Sequence, residues 1–189
     1  KDIADHLAEI AKKEKVKAEA EALHLIAQKA DGALRDALSV FDQMITFSGN
    51  ELTYKLVVEN LHILDYDYFF KFVDHADKED IPSSLLLFNE ILEQGFDAHH
   101  FLGGLSKHYR NLLVCKNEKS AVLLEVPETI QKKYIEQSKL LPYHTLTRAL
   151  YALSKADTSY KASKNKRLLV EVLLMELCSL KQEQEKKKP

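Results

Sequence analysis

Arg35 is the residue of this sequence whose position asks most directly for a chemical explanation. It follows Asp31, Gly32, Ala33 and Leu34 and precedes Asp36 and Ala37. Leu34, Ala37, Leu38, Phe41 and Ile45 then recur at i, i+3, i+4, i+7 and i+11, the spacing of a helix with one buried face. Asp31 stands where a side chain can cap that helix by accepting from an early backbone N–H. Arg35 falls in the first turn, beside the apolar stripe. A helix start carries about half a positive charge on its open N–H groups, so a cation there costs about 0.3–1 kcal/mol unless an anion lies close. A phosphate satisfies both features, because open N–H groups and a guanidinium each bind phosphate oxygens. The ordinary alternative is that Arg35 pairs with Asp36 or Asp42, or is solvated, with little energetic weight.

Other chemistries find less support. His99, His100 and His108 invite a metal reading, but adjacent helical residues point about 100° apart, and the sequence holds no His-Glu-x-x-His. Cys115 and Cys178 stand far apart and outside any Cys-x-x-Cys pair, which suggests reduced thiols and neither a zinc site nor a disulfide framework. No serine or cysteine has the local signature of a nucleophile. The glycine-rich loop ending in Gly-Lys-Ser/Thr, which an ATPase needs around its phosphates, is absent from the sequence. One basic stretch remains, Lys155, Lys161, Lys164, Lys166 and Arg167 around Tyr160. It reads either as a solvated loop between helices or as a contact for phosphate backbone or an acidic partner.

The elements that position these residues follow from the breakers and the apolar periodicity. Only 5 glycines, 4 prolines and no tryptophan occur in 189 residues, 46% of them hydrophobic and 30% charged, which favours an all-helical globular fold. A net charge of −2 argues against a uniformly basic nucleic-acid-binding surface. No apolar run is long enough to cross a bilayer. The charged start runs directly into a helix bearing Ile3, Leu7, Ile10 and Ala11, the mark of a piece of a longer protein. A second helix is expected from Ala18 to about Lys29, with Ala22, Leu25, Ile26 and Ala30 inward, and the Arg35 helix completes a three-helix bundle.

Ser48-Gly49-Asn50-Glu51 is the clearest break, and a domain boundary is expected there. Further helices are expected over 53–61, 65–76, 82–94 and 97–116, with a short segment at 122–126. Others begin at Pro127 and Pro142. Gly103 and Gly104 lie inside the 97–116 pattern and imply a close helix approach. The last helix, with Leu168, Leu169, Val170, Val172, Leu173, Leu174, Met175 and Leu177, is apolar on nearly every side and is expected in the domain centre or at a subunit interface.

The run Ala30-Asp31-Gly32-Ala33-Leu34-Arg35-Asp36-Ala37-Leu38-Ser39, continued by Phe41-Asp42-Gln43, resembles the sensor 2 segment of bacterial DNA polymerase III gamma/tau, the motor of the replicative clamp loader. In that family the arginine of Gly-x-x-Arg-Asp-Ala sits in the helical lid of an AAA+ ATPase and reaches the phosphates of bound ATP. The resemblance gives that part to Arg35, with Gly32 and Leu34 beside it at the nucleotide. Tyr160-Lys161 and Asn165-Lys166-Arg167-Leu168, followed by an apolar helix, resemble the last segment of the family's collar.

The implied fold is all-α: a three-helix lid over 1–48, a helical-bundle collar over 49–181 that serves oligomerisation, and a charged tail over 182–189. The implied function is that of a piece of the cytoplasmic machine that spends ATP to load the sliding clamp on primed DNA within DNA polymerase III, a transferase. Other clamp-loader subunits are its implied partners through the collar, with the clamp and primed DNA engaged by the intact complex and no membrane. ATP with Mg is implied for the intact subunit. This piece, which lacks the phosphate loop, is expected to be inactive alone, to hold no nucleotide tightly and to contain no catalytic or metal-ligating residue. Two rivals stay open: the lid of another AAA+ DNA-processing motor, and a helical adaptor unrelated to nucleotide.

Overall fold

Apolar stripes at helical spacing and a scarcity of interior breakers give ten α-helices among the residues described by this computed structural model, 2–30, 33–61, 63–124 and 126–181. The all-α expectation holds. The chain forms two compact units, Lys1–Leu64 with Glu125–Ile130, and Asp65–Leu124 with Gln131–Pro189.

The first unit contains α1 (Asp2–Lys13), α2 (Ala20–Lys29), α3 (Leu34–Ser48) and α4 (Tyr54–Asn60). Leu7, Ala22, Ile26, Ala37, Phe41, Leu52 and Val57 are fully buried together, so one core joins all four helices. The second helix starts two residues later than its expected Ala18. Lys17–Ala18 instead pairs in parallel with Glu51–Leu52, and Lys15, at φ 58°, turns the chain into that pairing. Glu19 adds a long-range tie, its carboxylate accepting from the Tyr54 N–H at 2.6 Å. α4 thereby packs on α2, although it follows the Ser48-Gly49 break.

The second unit holds α5 (Tyr66–Asp77), α6 (Ile81–Glu93), α7 (Ala98–Cys115), a 3-10 turn at Glu118–Leu123, most of α8 (Glu128–Leu140), then α9 (Tyr143–Tyr160) and α10 (Lys166–Cys178). Aspartates and an asparagine cap α5, α6, α7 and α10. Asp65 accepts from Asp67 N–H, Asp80 from Ser83 N–H, Asp97 from His99 and His100 N–H, and Asn165 from Leu168 N–H. The short segment expected at 122–126 meets this 3-10 turn only at 122–123, because the turn begins earlier, where Asn117 accepts from Lys119 N–H; residue 125 lies outside the described residues.

α7 packs along α9, and Phe72, Phe88, Phe101, Leu102, Leu105, Leu112, Leu146 and Leu153 fill the core around them. The two glycines of α7 part company. A Cβ on Gly104 would meet the Phe69 ring at 2.3 Å, the expected close approach, while one on Gly103 would meet nothing within 4 Å. On α10, Val170, Leu173, Leu174 and Leu177 are buried, but Leu168, Val172 and Met175 are 50%, 53% and 36% exposed. Burial of α10 from all sides within its own unit is therefore ruled out, because its neighbours α5, α6, α7 and α9 cover only part of its circumference.

Candidate functional site

Leu34 is the first residue of α3 and Arg35 the second. The helix's first backbone bond runs from Ala37 N–H to Ala33 C=O at 3.0 Å, leaving the earlier N–H groups beyond the intrahelical ladder. Ala33 occupies the cap position and carries no polar side chain, so among the described residues no side chain caps this end. Asp31, expected as the cap, and Gly32, expected at the nucleotide, lie outside the described residues. Leu34 is 43% exposed, unlike the buried Ala37 and Phe41 with which its spacing groups it. Arg35 is exposed, and among the described residues it has no hydrogen bond or ion pair, with Asp36 and Asp42 included. Among the described residues, N–H groups without a side-chain cap and a guanidinium without a partner thus share one helix end, an arrangement whose chemistry is the binding of an anion.

The histidines are held apart by their separate roles. His99 faces Asp157, Nε2 to Oδ1 at 2.9 Å, and its ring stacks on Tyr160 at 4.6 Å. His100 is exposed, and His108 is buried. No group of three His, Cys, Asp or Glu side chains close enough to hold a metal ion occurs among the described residues. The basic stretch divides similarly. Arg167 is engaged by Glu171 at 2.7 Å and by Asn89 at 2.9 Å, and Lys166 lies over the Tyr160 ring. Lys155, Lys161 and Lys164 are exposed and unpaired among the described residues.

A buried polar network was not legible in the sequence. Both amide protons of Gln137 are spent, on Phe70 C=O at 2.9 Å and on Asp74 Oδ1 at 2.8 Å, so its Oε1 accepts from His108 Nε2–H at 2.9 Å. This fixes the tautomer and leaves His108 Nδ1 buried without a partner. Phe70 and Tyr134 enclose the imidazole at ring distances of 4.6 and 4.8 Å. Burial there pushes His108 down to about 4, against the smaller opposing effect of the Gln137 bond. The network joins α5, α7 and α8 and serves packing. Its only sequence signal is a histidine on the inward face of α7, three residues beyond Leu105 and four before Leu112.

Residues 2–50 match the family described as DNA polymerase III clamp loader subunit, ATPase lid domain, and residues 52–189 match DNA polymerase III subunits gamma and tau domain III. The chain is similar to DNA polymerase III subunit tau of Bacillus subtilis, with 26% identity over 93% of this chain and 31% of that protein. It is similar also to DNA polymerase III subunit gamma/tau of Mycoplasma genitalium, with 33% identity over 67% of this chain and 21% of the relative. The chain therefore spans about a third or less of the length of these relatives. Among solved structures, the Bacillus subtilis DNA clamp loader delta protein shares its fold, with a TM-score of 0.59 and 22% identity over 94% of this chain and 56% of the other.

Proposed function

This chain belongs to the DNA polymerase III gamma and tau family, carrying its clamp-loader lid and its domain III, and on that premise we propose that Arg35 reads the phosphates of ATP in the intact subunit. One observation carries the reading: an exposed arginine in the first turn of α3, with no partner and no side-chain cap among the described residues, within the segment that matches the ATPase lid. Residues 1–48 act as the lid, with Leu34 and Gly32 beside the nucleotide, and 49–181 act as the collar, followed by the tail. A charge contact that exists only with nucleotide bound shifts the lid between orientations, which couples ATP to movement of the subunit.

The residues fit a phosphate group, through the guanidinium of Arg35 and the open N–H groups of α3. Mg, bound with ATP in the intact subunit, would neutralise phosphate charge there. The phosphate loop lies outside this sequence, so the 189-residue chain is expected to be inactive in hydrolysis by itself. The half-exposed Leu168 and Val172 of α10 leave apolar surface for contacts with other clamp-loader subunits. The sliding clamp and primed DNA are then partners of the assembled complex, which works in the cytoplasm. No described helix is long and apolar enough to cross a membrane.

The test is ATP affinity, read with a fluorescent ATP analogue, in a full-length gamma/tau subunit carrying this sequence. Loss of a charge-assisted contact of about 1.5–3 kcal/mol makes Arg35→Ala weaken binding by roughly ten- to a hundredfold. Unchanged affinity would return Arg35 to the role of a solvated surface residue.

A further inference from the structure

We propose that the outer face of α9 and the loop leading to α10 form a track for single-stranded nucleic acid, with Tyr151 as a stacking platform and Lys155, Lys161 and Lys164 as backbone contacts. The inference is independent of Arg35 and of the lid. Tyr151 is 75% exposed, so its ring stands in solvent in the middle of a helix whose other face is packed. Lys155 follows it at i+4, so the two side chains neighbour each other on the same exposed face, with Thr147 and Thr158 continuing the row. Beside Tyr151 opens a cleft of about 340 Å³ lined by Thr147, Arg148, Tyr151, Glu176 and Leu180.

Charge along this surface is lopsided. Between 151 and 170 the chain carries Lys155, Lys161, Lys164, Lys166 and Arg167 against one carboxylate, Asp157, while the whole protein has a net charge of −2. That carboxylate is engaged by His99, and a second, Glu176 of α10, lines the cleft together with Tyr151 and Arg148. Lys166 and Arg167 have partners of their own within the protein, which leaves Lys155, Lys161 and Lys164 to meet an external anion.

The loop that presents them is held in place. Tyr160 is only 6% exposed, its ring stacked on His99 at 4.6 Å and approached by Lys166 at 5.5 Å. Ser163 N–H donates to Ser159 C=O at 3.1 Å, its hydroxyl donates to Asn165 C=O at 3.1 Å, and Asn165 caps α10. A fixed loop gives up little conformational entropy when an anion binds. An exposed aromatic ring on the same surface as lysines that have no partner among the described residues suits a single strand, whose unstacked bases offer a π-face beside the backbone charge, better than it suits an acidic peptide.

The experiment titrates this 189-residue chain into a fluorescein-labelled oligothymidylate of about 20 nucleotides and reads anisotropy across about 50–200 mM salt. Three backbone contacts give a slope of log K against log salt of about −2. Lys155→Gln, Lys161→Gln and Lys164→Gln together are expected to weaken binding by about tenfold or more at the low-salt end and to flatten the slope. Tyr151→Ala is expected to weaken it by roughly five- to a hundredfold and to leave the slope alone. All four side chains are exposed, so urea midpoints should stay at the parent value and confirm that the variants fold. The proposal is overturned by a parent that does not bind, by a triple variant that binds like the parent, by a Tyr151→Ala variant without effect, or by competition from polyglutamate matching that of unlabelled oligothymidylate. The last result would assign the lysines to an acidic protein. None of these outcomes bears on ATP affinity through Arg35.

Discussion

Two adjacent glycines in α7 provide a matched pair whose members should respond to the same substitution with opposite signs. Replacing glycine by alanine inside a helix gains about 0.8–1 kcal/mol from backbone entropy. For Gly103→Ala that gain stands unopposed, since the added methyl meets nothing within 4 Å. For Gly104→Ala the methyl lands 2.3 Å from Phe69 Cζ and 2.8 Å from Cε1. Carbon atoms rest about 3.5–4.0 Å apart, so the ring must withdraw by more than about 1 Å. It has little room, being 6% exposed, stacked on Phe101 at 5.8 Å and 6.0 Å from the His108 ring. Overpacking of this kind costs about 1–3 kcal/mol. The helix gain is common to both variants and cancels in their difference, so Gly103→Ala should be more stable than Gly104→Ala by about 1–3 kcal/mol, and Tm should separate by roughly 2–12 °C. Urea unfolding followed by tyrosine fluorescence reads the relevant unit, because every tyrosine except Tyr54 lies in it and the chain has no tryptophan. Equal stability of the two variants would refute the packing described for α5 against α7.

Other consequences follow from buried titratable groups. His108 sits near 4 in the folded protein, against about 6.5 in an unfolded chain. The unfolded state therefore takes up the proton first: this stabilisation is complete above pH ~6.5, falls away between ~6.5 and ~4, and totals about 3 kcal/mol. Urea midpoints measured at a series of pH values should show His108→Gln losing less stability on acidification than the parent, and parallel pH profiles would count against the buried neutral imidazole. Cys115 and Cys178 are both buried, and burial raises each thiol above its ordinary range, with the Ser84 contact opposing it at Cys178. A disulfide reagent at neutral pH should label both at least about a hundredfold more slowly in the native protein than in denaturant. Fast native labelling of either would place that thiol at the surface.

The sequence carried the helices more fully than it carried their partners. Asp65 and Asp97 announce helix starts because an N-cap acts within one turn, and Pro82 and Gly95 bracket α6 for equally local reasons, although its cap, Asp80, was not read from the sequence. The Lys17–Ala18 pairing with Glu51–Leu52 was not legible, since two-residue strands have no measurable alternation and depend on contacts more than thirty residues apart. The same tie brings α4 onto α2, which the Ser48-Gly49 turn signals could not foretell. Gly103 and Gly104 look alike in sequence and are told apart only by where the Phe69 ring stands. Apolar patterning on α10 showed where buried surface was possible, but the exposure of Leu168, Val172 and Met175 depends on how much of the helix α5, α6, α7 and α9 cover. Arg35 was legible as an oddity of helix electrostatics, and the structure adds that Ala33 takes the cap position and that no described side chain pairs with the guanidinium.

Steady-state ATP hydrolysis tests the central claim most directly. The comparison is between parent and Arg35→Ala in a full-length gamma/tau subunit carrying this sequence, assembled with its partner subunits, clamp and primed DNA. If Arg35 reads the nucleotide phosphates, turnover falls by about tenfold or more while assembly is kept, equivalent to at least about 1.4 kcal/mol of lost stabilisation. Turnover equal to the parent's would contradict the account and leave this chain as a helical scaffold without a part in nucleotide sensing.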